Sequence, residues 1–460
     1  MGIHTKVKKQ LMIVLFLMGI SIYGIQSSAQ EMYMDNIGVV IRDTQILTAA
    51  NEEAVCLGYL KKDTRVAVIS ELSHFVIIKY EDKYAYLPYD AIRLDIEYEK
   101  NLGRQRVYEN SYDILITEGE IYDARGKAVV PGFIDLHTHG GCGFDVNAAS
   151  KEDFQKIGHF FAQQGTTTWL CSILTDTREQ TEKAIEEAMK HKEDHANCAD
   201  LLGIHLEGPF LSVEFKGAMP ESLLKDADLN LLKEYQEKAR GNIRYITVSP
   251  EVKGIPQAIP EIRKMGITVA IGHSGADYET SMECIKNGAM ACTHTCNAMK
   301  LFHQHFPAIM GAVLESDVYC EAICDGRHLH PGSVRMMLKA KGYDRVVAVT
   351  DSIMASGLPD GSYKLGVNDV IVEEGDAKLP NGVRAGSTLT TGTALKRLIE
   401  FTGASMEDVL PLLTMNPATL IGEEKRIGSL EVGKDADILI LDDNYEIEAT
   451  FVKGNKIEKQ

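Results

Sequence analysis

The chain has 460 residues, of which 45% are apolar and 25% are charged. This ordinary globular balance excludes disordered, collagen-like and repetitive fibrous proteins. The formal net charge of −18 argues against nucleic acid or an anionic membrane surface as the main partner, so we expect no nucleic-acid ligand. At ~150 residues per domain the length predicts two or three domains, although one α/β barrel can take ~250 residues.

Residues 1–29 have the pattern of a secretory signal. Three lysines between residues 6 and 9 precede an apolar run from Leu11 to about Ile25, and small residues precede a cleavage site after Ala29. An uncleaved membrane anchor is the alternative, but the run is short for a span of ~20 residues. The pattern therefore predicts export.

The cysteines bear on the same question. There are nine, and most lie in apolar, strand-like runs, so we interpret them as buried thiols rather than a disulfide framework. Their spacings do not suit a cysteine-ligated zinc site. Unpaired thiols weigh weakly against an oxidising compartment, and this conflict with the signal pattern stays open.

Residues 36–97 carry short β-prone runs that polar turns separate at roughly ten-residue spacing, the pattern of a small barrel or sandwich. The stretch LGYLKKDTRVAVISELSHFVIIKYEDKYAYLP resembles bacterial SH3-like domains, which bind wall peptides or other proteins. A β-rich spacer without a ligand is the alternative.

A buried strand is predicted over Val129–Leu136, and it leads directly to His137 and His139. Residues two apart in a strand share a face, so both imidazoles point the same way, as two ligands of one metal must. Four further β-prone runs also end in polar residues. These residues are Glu207, His273, His294 and Asp351.

The segments between these runs are long enough for helices, and residues 178–192 and 281–287 have helical composition. Strands that alternate with helices indicate parallel βαβ units. Polar ligands at the carboxyl ends of many parallel strands indicate a (β/α)8 TIM-type barrel with its site at that face.

Each of these polar residues has an ordinary explanation when taken alone. A single buried histidine is more often a core residue than a ligand, and an aspartate after a strand is often a helix cap. The same coincidence at every strand end is far less probable by chance. The sequence therefore predicts a metal site formed by His137, His139, Glu207, His273 and His294, with Asp351 beside it.

Imidazole and carboxylate ligands suit zinc or ferrous iron, and we expect one or two divalent ions per subunit. Such an ion lowers the pKa of a bound water toward ~7 and polarises a carbonyl group. Asp351 is then the expected base for the water and the acid for the leaving amine. The motifs together predict metal-assisted amide hydrolysis.

The order of the motifs resembles the amidohydrolase superfamily. The segments PGFIDLHTHG, HLEGPFL, GHS, THTCNAM, DGRHLHP, VTDSI, AGSTLT, NPAT and GSLEVGKDADILILD are together similar to the N-acetylglucosamine-6-phosphate deacetylase family, over about residues 112–457. Other branches commonly carry a carboxylated lysine where this chain has Glu207. The resemblance implies a cytoplasmic, homodimeric enzyme of amino-sugar catabolism with a small-molecule substrate.

The resemblance also assigns roles to residues. Glu207, His273 and His294 match the main metal ligands, Asp351 matches the catalytic acid/base, and the HxH pair matches forms that can hold a second metal. The positions that match substrate contacts are Ala218, Asn297, Ala298, His305, Asp325, Gly326, Arg327, His328, Ala385, Gly386 and Ser387.

Two residues at or near these positions depart from the family pattern. Met219 stands where the family usually has a histidine, and His305 lies in the run that usually carries an arginine for the substrate phosphate. Imidazole is not equivalent to an arginine fork, which binds phosphate bidentately. Arg327 and Lys300 are candidates to compensate.

Export and the lost arginine together suggest a deacetylase of an unphosphorylated or wall-derived N-acetyl amino sugar. Another N-acyl or cyclic-amide hydrolase is a further alternative. An exported binding protein that uses the SH3-like module is the alternative without catalysis.

A third departure concerns domain organisation. Only about Arg106 to Val130 is available for the family's N-terminal β segment, which pairs with C-terminal strands in a small β-sandwich. The expected division is a signal at 1–29, an SH3-like module at 36–97, a sandwich from 98–130 and 427–460, and the barrel at 131–426.

Overall fold

The computed structural model describes residues 120–458 apart from 125 and 195, and before residue 120 only short strands, residues 61–62 and residue 91. The chain forms two compact units, 1–102 with 110–114 and 103–109 with 115–460. The expected signal at 1–29 lies outside the described residues. Among the helices that are described, none is long and apolar enough to cross a membrane.

The strands of the N-terminal unit form a seven-stranded sheet in the order β3-β2-β6-β5-β4-β1-β7. The β-prone runs at 66–69, 75–78 and 84–87 lie within β4, β5 and β6. The SH3-like identity stays a prediction. The bounds are β1 (Asn36–Val40), β2 (Thr44–Leu47), β3 (Cys56–Leu60), β4 (Arg65–Glu71), β5 (Phe75–Tyr80), β6 (Lys83–Pro88) and β7 (Ile92–Leu94).

Short strands lead from there to the barrel: β8 (Tyr108–Glu109), β9 (Ile114–Thr117), β10 (Glu120–Asp123) and β11 (Ala128–Pro131). The strand predicted over Val129–Leu136 is wrong in one respect, because the chain changes sheet at Gly132. A Cβ there would lie 2.0 Å from Thr167 Oγ1, so only glycine fits. Its N–H donates to Asp437 O (2.8 Å).

The second unit is built on an eight-stranded parallel sheet, nearly closed, which confirms the predicted TIM-type barrel. A hairpin of β13 (Gly140–Gly141) and β14 (Phe144–Asp145) follows the first barrel strand. The barrel strands are β12 (Phe133–Thr138), β15 (Thr166–Leu174), β16 (Asp200–Glu207), β17 (Ile243–Val248), β18 (Thr268–Ile271), β19 (Ala291–Cys292), β20 (Tyr319–Ile323) and β21 (Val346–Val349).

A helix follows each barrel strand, as the alternation in the sequence predicts. These helices are α1 (Lys151–Gln163), α2 (Arg178–Glu193), α3 (Leu229–Lys238), α4 (Ile255–Lys264), α5 (Tyr278–Lys286), α6 (Ala308–Glu315), α7 (Pro331–Lys341) and α8 (Thr391–Thr402). Several begin at a side-chain cap: Ser150 and Asp153 form a reciprocal capping box at α1, and Thr177 accepts from Gln180 N at α2.

The barrel closes between its first strand and the segment after its last. Asp351 N donates to His137 O (2.8 Å), and His139 N donates to Ser352 O (2.7 Å). The hydrogen bonds that close the barrel therefore belong to residues of the predicted site. Large side chains, among them Phe133, Trp169 and Tyr245, are fully buried along the strands of the barrel.

A three-stranded antiparallel sheet stands between β21 and α8: β22 (Gly361–Leu365), β23 (Asn368–Glu373) and β24 (Asp376–Lys378). Its buried side chains Leu365, Val370 and Val372 form a second apolar cluster with Leu211 and Met219, from the loop after β16. This small sheet therefore braces a loop at the carboxyl face of the barrel.

The chain then forms α9 (Met406–Val409), a 3₁₀ turn at Leu410–Leu413, α10 (Met415–Leu420), β25 (Ile438–Leu441), β26 (Ile447–Val452) and β27 (Asn455–Lys456). These last strands make a five-stranded sheet in the order β27-β26-β25-β11-β8. A shorter 3₁₀ turn lies earlier at Glu221–Leu223. The C-terminal strands thus pair with the short N-terminal segment.

Candidate metal centre

The predicted site residues meet at the carboxyl end of the barrel. His137 lies near the end of β12, Glu207 ends β16, and the other members follow their strands. These residues are all buried, none exposed by more than 7%: His137, His139, Glu207, His273, His294 and Asp351.

Three of these residues turn sharply out of their strands. His273, His294 and Asp351 have φ angles of 46°, 27° and 51°, in the left-handed region that residues other than glycine rarely adopt. Such backbone costs about 1–3 kcal/mol per residue, and the surrounding structure must hold it. The strain accompanies the turn of each side chain into the common centre.

One group of ligand atoms comes from His137, His139 and Glu207. The two Nε2 atoms lie 3.2 Å apart. Glu207 Oε1 is 3.3 Å from His137 Nε2, and Glu207 Oε2 is 3.4 Å from His139 Nε2.

A second group shares Glu207 and adds His273 and His294. Their Nε2 atoms are 2.9 Å apart, at 3.2 and 3.3 Å from Glu207 Oε1. Glu207 therefore bridges the two groups, and Asp351 Oδ1 approaches the first, 3.1 Å from His139 Nε2.

The outer nitrogens of the rings show which nitrogen carries the proton. His139 Nδ1 donates to Ser172 O (2.8 Å), His273 Nδ1 to Phe215 O (2.8 Å), and His137 Nδ1 to the carboxylate of Glu321 (3.0 Å). A carbonyl or carboxylate oxygen can only accept, so each Nδ1 carries the proton. In its neutral form each ring therefore presents an unprotonated Nε2 to the centre, and this is the form that binds a metal.

These residues fit a divalent cation. His137 Nε2 and His139 Nε2 face each other at 3.2 Å, and a cation between them can accept the lone pairs of both atoms. Atoms that bind one tetrahedral zinc ion at roughly 2.0–2.1 Å lie roughly 3.3 Å apart, which is close to the spacing found in both groups. The donor set of imidazole and carboxylate suits zinc or iron equally.

The charges within the site reinforce one another. Burial alone raises the pKa of Glu207, yet the imidazoles of His137 and His139 hold it well below its usual range. Burial likewise opposes ionisation of Asp351, but the same two histidines lower its pKa. In return, the pKa of His139 rises to about 9 against the effect of burial, because Asp351 and Glu207 stabilise the imidazolium. Both carboxylates are therefore ionised at neutral pH.

Sequence reasoning missed the residues that support this centre from below. Glu321 lies in the middle of β20, fully buried, and also accepts from Tyr245 Oη (2.7 Å). His205 is held by Ser172 Oγ (2.8 Å) and Thr247 Oγ1 (2.9 Å), and burial keeps its pKa well below the usual value. The position of Glu321 within an apolar strand, YCEAI, was the only signal in the sequence.

Comparison with known proteins agrees with this arrangement of ligand residues. A model described as the amidohydrolase family matches residues 128–457. The chain belongs to this family. It is 35% identical over 340 residues to N-acetylglucosamine-6-phosphate deacetylase of Bacillus subtilis, covering 73% of this chain and 86% of the relative.

Two solved structures of enzymes with the same name have the same fold. The structure from Pasteurella multocida is 28% identical with a TM-score of 0.70, covering 84% of this chain and 96% of that one. The structure from Thermotoga maritima is 31% identical with a TM-score of 0.69, covering 75% and 95%. The amidohydrolase fold and the candidate ligand groups support a divalent metal ion.

Some residues predicted from the family as substrate contacts lie beside this centre. Asn297 Nδ2 donates to His294 O (3.0 Å), and Ala298 O accepts from Ser274 N (3.1 Å). A Cβ at Gly217 would lie 3.1 Å from His273 Cε1, which places the adjoining Ala218 close to the ligands. Ala218 O accepts from Asn368 Nδ2 (2.8 Å), so the small sheet holds this loop.

The loop that contains Ala385, Gly386 and Ser387 lies against Asp351. Ser387 N donates to Asp351 O (2.7 Å), and its hydroxyl donates to Thr350 O (2.6 Å). Ala385 is buried in the apolar cluster beneath the small sheet. The contacts of Ser387 therefore fix the backbone that carries Asp351.

The segment at 325–328 is tied mainly to itself and to the small sheet. Asp325 accepts from His328 Nδ1 (2.7 Å), and this pairing with His328 lowers the pKa of Asp325 although burial opposes it. Gly326 has a positive φ of 78°, and the guanidinium of Arg327 donates to Glu374 O.

His305 is exposed, on a loop where its ring lies 5.5 Å from that of His303. The contacts described for His305 and for the four residues of segment 325–328 do not join them to the ligand side chains.

The cysteines agree with the prediction of free thiols. The described ones are all unpaired, and six are buried: Cys171, Cys198, Cys284, Cys292, Cys320 and Cys324. Burial raises the pKa of Cys171 and of Cys324 to about 12, so these thiols are inert as nucleophiles.

Proposed function

We propose that this protein removes the acetyl group of N-acetylglucosamine 6-phosphate and yields glucosamine 6-phosphate and acetate. The observation that carries the proposal is the buried centre in which Glu207 joins two ligand groups beside Asp351. The relatives named for this reaction match this chain over the same region. The proposed cofactor is zinc or iron, with one or two ions per subunit.

The residues proposed to hold the metal are His137, His139, Glu207, His273 and His294. When bound, a divalent ion supplies Lewis-acid polarisation of the amide carbonyl and acidifies water. The ionised Glu207 is already in the protonation state that metal binding needs, whereas the imidazolium of His139 must first give up its Nε2 proton. We therefore expect metal binding to release protons.

Asp351 is the proposed acid/base. Its lowered pKa keeps it ionised, so at neutral pH it can accept the proton of the attacking water. The same carboxyl group then gives that proton to the amine as the C–N bond breaks. Ser387 and the hydrogen bond to His137 O hold its backbone, so the carboxylate is positioned before substrate arrives.

The sugar is proposed to bind against the loops that border Asp351 and His294. The contacts would come from the residues matched to the family: Ala218, Asn297, Ala298, Asp325, Gly326, Arg327, His328, Ala385, Gly386 and Ser387. Segment 325–328 and Arg327 are proposed for the phosphate end, because the family's arginine is absent.

One observation favours a second candidate, a deacetylase of the unphosphorylated sugar. His305 is exposed, and the run around it supplies no arginine for a phosphate group. An imidazole in this place offers weaker and less directional binding to phosphate than a guanidinium.

Hydrolysis of four substrates by the metal-loaded protein decides among these functions, measured as acetate release from the three N-acetyl compounds and as ring opening of the cyclic amide. The substrates are N-acetylglucosamine 6-phosphate, N-acetylglucosamine, an N-acetyl amino acid and a cyclic amide. We expect the phosphorylated sugar to have the highest kcat/KM. A higher value for the plain sugar establishes the second candidate, and acetate from neither sugar contradicts both.

We also propose a homodimer. Leu301, Phe302 and Phe306 are exposed by 66%, 59% and 69% on one short loop after Ala298, and exposed apolar groups of this density favour a protein interface. Light scattering on the purified protein should give a mass near twice 50.8 kDa.

Export and the SH3-like module remain proposals from the sequence. Mass spectrometry of the mature N-terminus should find it after Ala29 if the signal is cleaved. A pull-down with wall peptides tests the module.

A further inference from the structure

Glu321 is a buried carboxylate that the proposed chemistry does not use. It lies in β20 with no exposed surface, where an ionised group is costly unless donors surround it. Three donors do so: Tyr245 Oη on Oε1 (2.7 Å), and His137 Nδ1 and His294 N on Oε2, each at 3.0 Å. These three hydrogen bonds tie Glu321 to β17, to β12 and to the residue that follows the end of β19 by two positions.

The two donors on Oε2 belong to different ligand groups. His137 is a member of the first group and His294 of the second. One oxygen thus fixes the ring of one ligand and the backbone of the other, from the side opposite Glu207.

The contact with His294 bears on strained backbone. His294 has a φ of 27°, and the Nδ1 atom of its own ring is buried without a hydrogen-bond partner. Its ring is therefore not oriented by an outer acceptor, unlike those of His139 and His273. Apart from Asn297, which donates to its carbonyl oxygen, the described hydrogen bond that holds the backbone of this residue is the one from its N–H to Glu321.

We propose that Glu321 is a positioning residue that fixes the ring of His137 and the backbone of His294, and so sets the geometry of both ligand groups. The inference rests on the proposed metal centre but not on the proposed substrate. An outer partner of this kind contributes about 10–100-fold to metal affinity in other proteins.

The test measures zinc affinity of the full-length protein in competition with a chromophoric chelator, without substrate. Glu321→Gln keeps the shape, and its amide oxygen can still accept from His137 and His294 while its NH₂ faces Tyr245. Glu321→Leu removes every acceptor. Asp437→Asn is the matched control, because Asp437 is a buried carboxylate whose hydrogen bonds come from Lys453 N and Thr168 Oγ1.

We expect zinc affinity to fall about tenfold in Glu321→Gln and about 100-fold in Glu321→Leu, and to stay within twofold in Asp437→Asn. ¹⁵N NMR of the histidine rings in the metal-free protein should show that His137 loses its Nδ1-protonated form in Glu321→Leu. A purely structural role would leave that ring signal unchanged.

Wild-type zinc affinity in Glu321→Gln and Glu321→Leu overturns the proposal, and so does an equal loss in Asp437→Asn. If Glu321→Leu does not fold, Glu321→Gln alone tests the proposal. A zinc affinity within twofold of the wild-type value in that variant contradicts it. Because no substrate is present, a protein that binds zinc as expected but releases no acetate contradicts the proposed function and leaves the role of Glu321 intact.

Discussion

The pKa values of two buried aspartates, one at each end of the barrel, are shifted in opposite directions. At the carboxyl end, the histidines beside Asp351 lower its pKa even though it is buried. At the amino end, Asp437 accepts only from a backbone N–H and a distant hydroxyl, and burial raises its pKa to about 6. Both residues are at most 7% exposed, so burial does not account for the difference.

The difference lies in the partners. Imidazoles that can carry positive charge surround Asp351, whereas Asp435 and Asp200 add negative charge near Asp437. An ionised buried carboxylate is ready to accept a proton or bind a cation, and one that tends toward neutrality is not. The carboxyl end is thus suited to chemistry, and the amino end to connecting the barrel with the five-stranded sheet that contains β25.

The largest expected effect is on kcat and comes from replacing Asp351, the ionised aspartate at the carboxyl end. Asp351→Asn should lower kcat by about 10²–10⁴-fold, because an amide cannot accept the proton of the water. Metal content should be unchanged, since Asp351 is not a member of either ligand group. Steady-state acetate release and metal analysis measure the two quantities.

The matched control for that variant is Asp344→Asn. Asp344 precedes β21, Asp351 follows it, and the side chain of Asp344 is 75% exposed. Activity in the control should equal that of the wild type. If Asp351→Asn kept full turnover, Asp351 would have no role as acid/base.

The second prediction concerns the carboxylate that joins the ligand groups. Glu207→Gln should weaken zinc binding by more than the roughly 10–100-fold that loss of an outer partner costs, because it removes a charged ligand from both groups at once. Chelator competition measures it. Glu214→Gln, an exposed change in the loop after β16, is the control and should bind zinc normally. Undiminished binding in Glu207→Gln would show that the two groups do not share a ligand.

Much of this carboxyl end could be predicted from the sequence. Each ligand stands at the end of a short β-prone run, and the geometry of a parallel barrel brings all such ends to one face. The break at Gly132 could not be predicted, since Thr167 excludes a side chain there only after the barrel has closed. The left-handed backbone at His273, His294 and Asp351 could not be predicted either, because histidine and aspartate do not require this conformation.

Glu321 shows the same limit in the site itself. It is 184 positions from His137, and within β20 it alternates with apolar residues as any strand residue does. Only the closed barrel shows that it faces the ligands. Loop residues such as His305 were found by resemblance alone, since no periodic pattern determines where a loop lies.

The third prediction tests how firmly the loop at 385–387 holds Asp351. In Gly386→Ala the new Cβ would lie 2.4 Å from Ile353 Cγ2 and 2.9 Å from Asp351 O, at a φ of 61°. We expect a loss of about 3 kcal/mol in the free energy of unfolding, from backbone strain and overpacking, together with lower kcat. Urea denaturation and acetate release measure these effects.

Gly382→Ala separates the two causes. Gly382 also has a positive φ, of 86°, but nothing lies within 4 Å of its added Cβ. This control should lose only the backbone contribution, about 1 kcal/mol, and keep full kcat. Equal losses in both variants would mean that contact with Asp351 does not matter.

The smallest effect tests the amino end. The pKa of Asp437 is about 6 in the folded protein, against its ordinary value of 3.8, which we take for the unfolded chain. The folded protein therefore binds this proton more tightly. Its contribution to stability is therefore present at low pH and is lost as pH rises through about 6. Asp437→Asn removes this dependence, so the free energy of unfolding of the variant should rise by about 1 kcal/mol relative to that of the wild type between pH 5 and pH 8.

Urea denaturation at both pH values measures the gain, and the exposed change Asp443→Asn should show none. An unchanged difference across this range would mean that Asp437 is as ionised as Asp351, and the contrast between the two ends would be lost.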